Sequence, residues 1–374
     1  MAWGDAGVSK RQLISNGAVA WGVGGTPVRS DIPQTGILRQ LKVLHASGAL
    51  TATAGTGAIT LDVQGPWNIY SRFLLTPNSQ APIVNVSGFG LSLINQLIMR
   101  EMMGNTPDTT IVSPVAGEAA TDVYNASVTS TTSGGNPFYQ YIPVAQTIRS
   151  LGGEVGLFPL QNPAVQLQLF WTPNSGSSAS AYNIYSTTAT NSPYLVTNNA
   201  TVTLATPTLE VVRDLWEVPA DQANYPPFNF VSSWSEETFQ TSVVGATQLN
   251  WKATPLSGIL VRVIGYILDG ATLAGALTST LTASNAVNLT YGAGTAKFAE
   301  TGNAAAARMQ AELGHMFAKG GFYYDLLGPN LTLQDSLNLF KIGNVQLQFN
   351  LTAALASSSA GKVLRQTIMP LVVQ

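Results

Sequence analysis

Three short motifs each occur twice in the chain, and the two sets follow the same order. They are PQTGIL with PLSGIL (Pro33–Leu38, Pro255–Leu260), FYQY with FYY (Phe138–Tyr141, Phe322–Tyr324), and VQLQ with VQLQ (Val165–Gln168, Val345–Gln348). Any one of these matches is short enough to arise by chance, but three in a shared order indicate an internal duplication. A chain of 374 residues is long enough for two similar domains in tandem.

Each copy is rich in strand patterns and has one helical pattern. Apolar and polar residues alternate in Val345–Thr352, as in a strand with one buried face. Many such segments are separated by Pro, Gly and Asn clusters, which is typical of β-sandwiches and barrels. Helical spacing covers about Leu91–Met103 and Ala304–Lys319, the second with Asn303 as its expected N-cap. We therefore predict an all-β protein of two tandem eight-stranded jelly rolls, with a short helix in each.

The composition excludes several classes of protein. Only 10% of the residues are charged, against about 25% in an ordinary soluble protein. The net charge is −2, which excludes a generally basic nucleic-acid-binding protein. The absence of cysteine excludes disulfide scaffolds and thiolate metal sites. So few charges leave two interpretations of the surface: neighbouring subunits cover it in an assembly, or it is a large neutral β surface.

The few charges are unevenly distributed along the chain. Residues 1–30 sum to +2 and residues 336–374 to +3, so the middle of the chain carries −7. One interpretation is chance, because the counts are small. The other is that both ends face something anionic, with Lys10, Arg11, Lys362 and Arg365 as the candidate basic residues.

The expected domain boundary lies in a proline-containing linker, Glu217–Pro227. We predict an N-terminal tail over 1–30, a first jelly roll over 31–219 and a second over 220–374. Deleting the tail is expected to leave the domains folded and to impair assembly. The low-complexity stretches Asn105–Asn136 and Thr172–Asn199 are expected to be long surface loops.

Motifs for catalysis or cofactor binding are missing from the sequence. There is no nucleotide-binding glycine loop and no GxSxG nucleophile elbow. Glu312 and His315 have the i, i+3 spacing of half a di-iron site, but the chain has no second such pair. His45, in a predicted strand, is interpreted as structural. We expect no enzyme activity, no cofactor and no metal.

Two carboxylate pairs and one group of aromatic residues keep other functions open. Glycoside hydrolysis needs two acids across a cleft, and the candidates are Asp214 with Glu217 or Glu236 with Glu237. Four aromatic residues in or beside the second low-complexity stretch are expected to be exposed, either packed within the loop or forming a carbohydrate- or receptor-binding surface; they are Trp171, Tyr182, Tyr185 and Tyr194.

Several segments of the chain resemble the major capsid proteins of tailless icosahedral phages, the tectivirus-like double jelly-roll lineage. They are IPQTGILR (Ile32–Arg39), GPWNIYSR (Gly65–Arg72), VSGF (Val86–Phe89), LFPLQN (Leu157–Asn162) and an interdomain VPAD (Val218–Asp221) with Tyr225–Pro226. The resemblance spans roughly residues 30–370 and rests on strand ends and turns. The first 30 residues match no part of that pattern.

The resemblance implies a structural protein of the virion, made in the host cytoplasm. Three subunits would form a pseudo-hexagonal capsomer, with long loops outside and both termini at the base. Lys10, Arg11, Lys362 and Arg365 would then lie on an inner face. The implied partners are other copies of the chain, penton or minor capsid proteins, and membrane lipid or genome at the basic termini. A viral spike or lectin-like jelly roll that recognises host glycans is the alternative.

Overall fold

A computed structural model describes most of the chain. The described ranges are 10–22, 25–46, 49–53, 59–61, 67–78, 80–102, 130–134, 138–174, 185–186, 194–196, 201–204, 208–221, 224–226, 228–241, 248–269, 272–273, 287–313, 321–351 and 360–370. Much of the two predicted loops, Tyr182 and His315 lie outside them. Within these ranges, no helix is both long and apolar enough to cross a membrane.

The chain divides into two compact units. The first contains Met1–Thr147 and Leu151–Ser232, and the second contains Ile148–Ser150 and Ser233–Val372. By contacts, the division therefore falls after Ser232, a few residues beyond the proline-containing segment of the predicted linker.

Most of the described residues of the first unit lie in strands. They are β1 (Arg11–Ala20), β2 (Val28–Asp31), β3 (Ile37–Ala46), β4 (Ala49–Thr53), β5 (Ile59–Leu61), β6 (Tyr70–Pro77), β7 (Val84–Val86), β8 (Ser130–Gly134), β9 (Phe138–Pro143), β10 (Gln146–Ile148), β11 (Gly153–Val155), β12 (Phe158–Pro159), β13 (Leu167–Pro173), β14 (Tyr185–Ser186), β15 (Tyr194–Val196), β16 (Thr201–Leu204) and β17 (Thr208–Trp216). Helix α1 spans Gly88–Met102, and short 3-10 turns lie at Trp67–Ile69 and Arg149–Leu151.

Two main sheets form the first unit. One runs in the order β1, β17, β3, with β9 and β12 also pairing with β3. The other contains β2, β13, β6 and β7. Large apolar side chains on the strands and turns of these sheets are buried, among them Trp21, Phe73, Leu169 and Trp171. The burial of Trp171 corrects the sequence prediction that it is exposed.

The second unit repeats this arrangement, with fewer strands among its described residues. They are β18 (Phe230–Thr241), β19 (Gln248–Lys252), β20 (Ile259–Asp269), β21 (Thr272–Leu273), β22 (Val287–Tyr291), β23 (Thr295–Glu300), β24 (Gly321–Asp325), β25 (Leu337–Asn338), β26 (Val345–Asn350) and β27 (Ala360–Pro370), with helix α2 at Gly302–Leu313. One sheet places β27 between β18 and β20, and β24 and β25 also pair with β20. The other runs β19, β26, β22, β23.

The repeated motifs occupy matching positions in the two units. Gly36 and Gly258 precede β3 and β20 with φ values of +80° and +83°, a conformation that favours glycine. The aromatic motifs form β9 and β24, which pair with β3 and β20. The VQLQ motifs lead into β13 and form β26. Each unit is thus built on the same strand pairings, as the order of the motifs predicts.

Both helices begin at a hydroxyl cap. Ser87 Oγ accepts a hydrogen bond from the Gly90 N–H at 2.9 Å, and Thr301 Oγ1 accepts one from the Ala304 N–H at 3.1 Å. Thr301 is therefore the N-cap of α2, and the prediction of Asn303 is wrong by two residues. Of the predicted end of this helix, residues 314–319 lie outside the described ranges.

Residues 11–20, which the sequence analysis assigns to a tail, form an edge strand of the first unit. β1 pairs antiparallel with β17 from Arg11 opposite Trp216 to Ala20 opposite Thr208. Most of its side chains are exposed, so its sequence lacks the apolar alternation that indicates a strand. The all-β class, with one α-helix in each unit among the described residues, is confirmed.

Candidate functional site

The charged residues are the candidate functional groups, and in the first unit they gather around Asp214 of β17. Asp214 is completely buried. Arg11 of β1 donates to both of its carboxylate oxygens, from Nε at 2.7 Å and from Nη2 at 2.6 Å. Gln40 Nε2 donates to Oδ2 at 2.6 Å. The hydrogen bonds to Asp214 raise the pKa of Arg11. This ion pair ties β1 to β17 through side chains as well as through the backbone.

Arg39 extends this cluster to a second acid. Its Nη1 lies 3.8 Å from Asp214 Oδ2, and its Nε donates to Glu154. Glu154 also accepts a hydrogen bond from Trp216 Nε1 at 2.7 Å. The cluster therefore connects β1, β3, β11 and β17, and the charges within it are used to hold the sheet together.

In the second unit, Arg365 of β27 is buried and holds the segment that precedes β20. Its Nε lies 2.7 Å from Glu237 Oε1, and its Nη2 and Nη1 donate to the carbonyls of Thr254 and Pro255 at 2.8 Å and 3.2 Å. Glu237 in turn accepts from Trp251 Nε1 at 2.8 Å. These contacts give Arg365 a structural role inside the unit.

The four basic residues predicted for an inner face have different environments. Lys10 is exposed, and its backbone carbonyl accepts a hydrogen bond from the Glu217 N–H at 2.8 Å. Lys362 is half-buried, with Nζ 3.9 Å from Glu236 Oε1. Arg11 and Arg365 are held in the ion pairs described above. Lys10 and Arg11 are neighbours in the first unit, whereas Lys362 and Arg365 share β27 in the second.

Three of the four carboxylates considered for glycoside hydrolysis, Asp214, Glu236 and Glu237, are held by side chains of their own unit. Asp214 is buried and bonded, whereas Glu217 is exposed. Glu236 accepts from the Tyr266 hydroxyl at 2.6 Å, and Glu237 is bound to Arg365. Among the residues that the structure describes, no group of three or more His, Asp or Glu side chains is placed to hold a metal ion.

His45 is a buried, neutral histidine. It lies on β3, its Nδ1 is 2.6 Å from the Tyr70 hydroxyl, and its ring makes edge contacts with Trp21 and Tyr70. Burial lowers the pKa of His45 to about 3. The imidazole is therefore a structural group at neutral pH, as the sequence analysis expects.

Among the residues that the structure describes, three large apolar side chains are exposed, and the sequence analysis did not identify any of them. Leu13 and Ile14 of β1 are 56% and 37% exposed, and Phe340, in a turn between β25 and β26, is 63% exposed. Phe340 lies beside the exposed Lys341. Isolated apolar residues in turns and polar strands have no periodic pattern, so sequence alone could not separate them from core residues.

Comparisons with known proteins give matches through structure only. No family model and no curated protein matches the sequence. A chain of the atomic structure of Sulfolobus Turreted Icosahedral Virus is 15% identical with a TM-score of 0.67, over 96% of this chain and 91% of that one. The PBCV-1 virus capsid gives 13% identity and a TM-score of 0.58, over 96% and 93%. Major capsid protein P2 from Bacteriophage PM2 gives 10% and 0.52, over 98% and 99%.

The chain has the double jelly-roll fold of these proteins. The matches extend over nearly the whole of both chains, so they include both units and not one jelly roll alone. This agrees with the internal repeat, in which β3 and β20 hold the same position in their units.

Proposed function

We propose that this protein is a major capsid subunit that forms trimeric, pseudo-hexagonal capsomers of an icosahedral virus shell. The observation that carries the proposal is the full-length match to structures of virus capsids, with two jelly rolls in tandem on one chain. A spike or lectin built on a single jelly roll would match only half of such proteins. The burial of Trp171 also removes one aromatic residue from the surface that a glycan-binding function would use.

The surface properties agree with a subunit that is covered by its neighbours. Only 10% of the residues are charged, so few side chains oppose close approach of another copy. Leu13 and Ile14 lie exposed on an edge strand, which is a position that soluble monomers ordinarily protect with charge. Contacts between copies would bury these groups and provide the apolar part of an interface.

The remaining partners follow from the same proposal. Capsomers contact one another and the penton or minor capsid proteins of the shell, and the chain is made in the host cytoplasm before assembly. The basic ends face membrane lipid or genome. Within the set Lys10, Arg11, Lys362 and Arg365, the exposed Lys10 is the residue best placed for such contact, because Arg11 and Arg365 are committed to ion pairs.

Native mass spectrometry combined with negative-stain electron microscopy tests the proposal. We expect trimers with a hexagonal outline that associate further as the concentration rises. A protein that remains monomeric at micromolar concentration would contradict it.

A matched pair of variants addresses the interface. Phe340→Ser removes an exposed apolar side chain from a turn, and Gln334→Ala changes an exposed polar residue nearby in the chain. Both should fold like the native protein. If Phe340 lies in a subunit contact, only Phe340→Ser will weaken assembly, and equal assembly of the two variants would exclude Phe340 from the interface.

A further inference from the structure

Strand β1 contains a bulge formed by Asn16 and Gly17. Ser15 pairs with Val212 and Ala18 with Glu210, so two residues of β1 oppose one residue of β17. Gly17 has a φ of +85°. Asn16–Gly17 is the only Asn–Gly dipeptide in the sequence. Because glycine has no Cβ, its backbone nitrogen is the least hindered nucleophile for attack on the side-chain carbonyl of a preceding asparagine.

Hydrogen bonds on two sides of this dipeptide would assist an attack by the Gly17 nitrogen on the Asn16 amide. The Gly17 N–H donates to Ser15 Oγ at 2.9 Å, and Ser15 Oγ donates to Glu210 Oε1 at 2.5 Å. This chain leads from the nucleophile to a carboxylate that can accept its proton. On the other side, Arg213 Nε donates to Asn16 Oδ1 at 2.7 Å, where negative charge develops in a tetrahedral intermediate.

The remaining atom of the Asn16 amide is the one that would leave. Asn16 Nδ2 is buried and has no hydrogen-bond partner among the residues that the structure describes. An unbonded buried N–H₂ group is unfavourable, and its loss from the side chain removes that unfavourable contact. The contrast is Asn78, which is also followed by a small residue: its Nδ2 donates to the Ala164 carbonyl at 2.8 Å, and its Oδ1 accepts from the Gln166 N–H at 2.6 Å.

Arg213 provides a reason for the product to be stable. It is 5% exposed, and its hydrogen-bond partners in the part of the chain that the structure describes are neutral: Asn16 Oδ1, Thr35 Oγ1 at 2.7 Å and the Pro33 carbonyl at 3.3 Å. Burial lowers the pKa of Arg213, since the charged guanidinium is desolvated. A buried cation is stabilised by an adjacent anion, and a carboxylate at position 16 would provide one 2.7 Å away.

We propose that Asn16 is a site of spontaneous deamidation, promoted by Arg213 and the Ser15–Glu210 pair, and that in the aspartate product the new carboxylate pairs with Arg213 and strengthens the attachment of β1 to β17. The Gly17 nitrogen bonds to Cγ of Asn16 and forms a succinimide, while its proton moves through Ser15 Oγ to Glu210. Nδ2 takes up one proton from solvent and departs as ammonia, and Glu210 returns the proton that it accepted to solvent. One water molecule then opens the succinimide and leaves aspartate or isoaspartate, with release of a proton.

The first experiment follows the mass of the Asn16 peptide. The purified full-length protein is incubated at neutral pH, and digests taken over time are analysed by liquid chromatography and mass spectrometry. The Asn16 peptide should gain one mass unit, with isoaspartate identified by electron-transfer fragmentation, while the Asn78 peptide stays unchanged. An Asn16 that remains intact, or that converts no faster than Asn78, would overturn the proposal.

The second experiment removes the base without removing the hydrogen bond. Glu210→Gln lies on the partly exposed face of β17 and should fold normally, and we expect deamidation to slow by about tenfold or more. Glu217→Gln is the control, because it removes a carboxylate just beyond the same strand without touching Ser15. Equal rates in the two variants would show that ordinary Asn–Gly chemistry, and not this arrangement, drives the reaction.

The third experiment tests the effect of the product. Asn16→Asp places the carboxylate beside Arg213 from the start, and we expect slower hydrogen exchange in β1 and a higher urea midpoint than in freshly purified native protein. Faster exchange in β1 would contradict the stabilising role. The measurements use folding and mass only, so they remain informative even if the protein proves not to be a capsid subunit.

Discussion

Both units have a buried polar pair at the same position in the fold, but its charged member is an acid in the first unit and a base in the second. In the first unit, Gln40 of β3 donates to Asp214 of β17. In the second, Arg262 of β20 donates to Gln366 of β27 at 3.1 Å. Both pairs adjoin an irregularity in the strand pairing, four residues after Gly36 and four after Gly258. One unit therefore has an acid with a neutral partner, and the other has a base with a neutral partner.

The two units differ in which strand provides the opposite charge. Asp214 is paired with Arg11 of β1, the first described strand of the chain. Arg262 is paired with Asp325 of β24, a neighbouring strand within the repeat, with 3.3 Å between Arg262 Nε and Asp325 Oδ1. The duplicated fold thus tolerates either sign at this position, provided that a third strand supplies the opposite charge. In the first unit this requirement makes the N-terminal segment part of the folded structure.

The largest expected effect comes from removing the cation of the second unit. Arg262 is completely buried, and Arg262→Met would leave Asp325 and Gln366 without it. Breaking a buried pair by deleting one partner destabilises by about 4 kcal/mol. Hydrogen exchange in β27, together with urea unfolding, measures the loss.

Lys362→Met is the control for that experiment. Lys362 lies on the same strand, and its ammonium is 3.9 Å from Glu236 at a partly exposed site. A pair of this kind contributes about 1 kcal/mol or less. Similar losses in the two variants would show that the buried pair has no special role in the second unit.

The corresponding change in the first unit is Arg11→Met, which leaves the buried carboxylate of Asp214 with Gln40 and the more distant Arg39. We expect a loss of about 3 kcal/mol, since Arg39 compensates in part. Arg29→Met is the control, because Arg29 and Asp31 form a bidentate pair in which both side chains are about half exposed. If Arg11→Met is as mild as Arg29→Met, the N-terminal strand behaves as a tail.

The internal repeat made the paired β architecture predictable, but not the ion pairs. Arg11 and Asp214 are 203 residues apart, and no local pattern connects them. The strand that carries Arg11 is exposed on most of its surface, so it has no alternation to reveal it.

Two local errors had signals that were present in the sequence. Leu167 and Leu169 alternate with polar residues, and one further step of that period reaches Trp171, which is buried with them. The cap of α2 was placed at Asn303, although Thr301 precedes the same pattern and makes the capping bond. Both errors came from giving local composition too much weight. Trp171 adjoins a Ser/Thr-rich stretch, and Asn303 is the polar residue nearest the alanine run.

Acid pH provides a smaller test of the same comparison. Counted from Gly36 and Gly258, His45 of the first unit corresponds to Ile267 of the second, and both are buried. The pKa of His45 is about 3 in the folded protein, against 6.5 as its ordinary value. Between about pH 6.5 and pH 3, the histidine is protonated in the unfolded chain but neutral in the folded protein. Proton binding therefore favours the unfolded chain, and the free energy of unfolding falls as the pH falls through this window.

At pH 5 this difference amounts to about 2 kcal/mol relative to neutral pH. The double variant His45→Ile with Tyr70→Phe removes the titrating group and the hydroxyl that it binds. Urea unfolding at pH 7 and pH 5 should show a smaller acid effect in the double variant. An unchanged pH dependence would assign the acid sensitivity to other groups, such as the buried carboxylates.

The smallest expected effect concerns how each helix attaches to its sheet. Tyr141 of β9 and Tyr323 of β24 hold matching positions, opposite Lys42 and Ile264. Asn95 of α1 bonds both the carbonyl and the N–H of Tyr141, at 2.6 and 2.7 Å.

Arg308 of α2 donates a hydrogen bond to the Tyr323 carbonyl at 2.9 Å. It also donates two hydrogen bonds to the Glu300 carboxylate, at 2.9 and 3.1 Å. Arg308→Lys keeps the charge but loses the planar fork, so we expect a loss of about 1 kcal/mol and faster hydrogen exchange confined to α2. If exchange in β24 accelerates as much as in α2, Arg308 supports the strand as well as the helix.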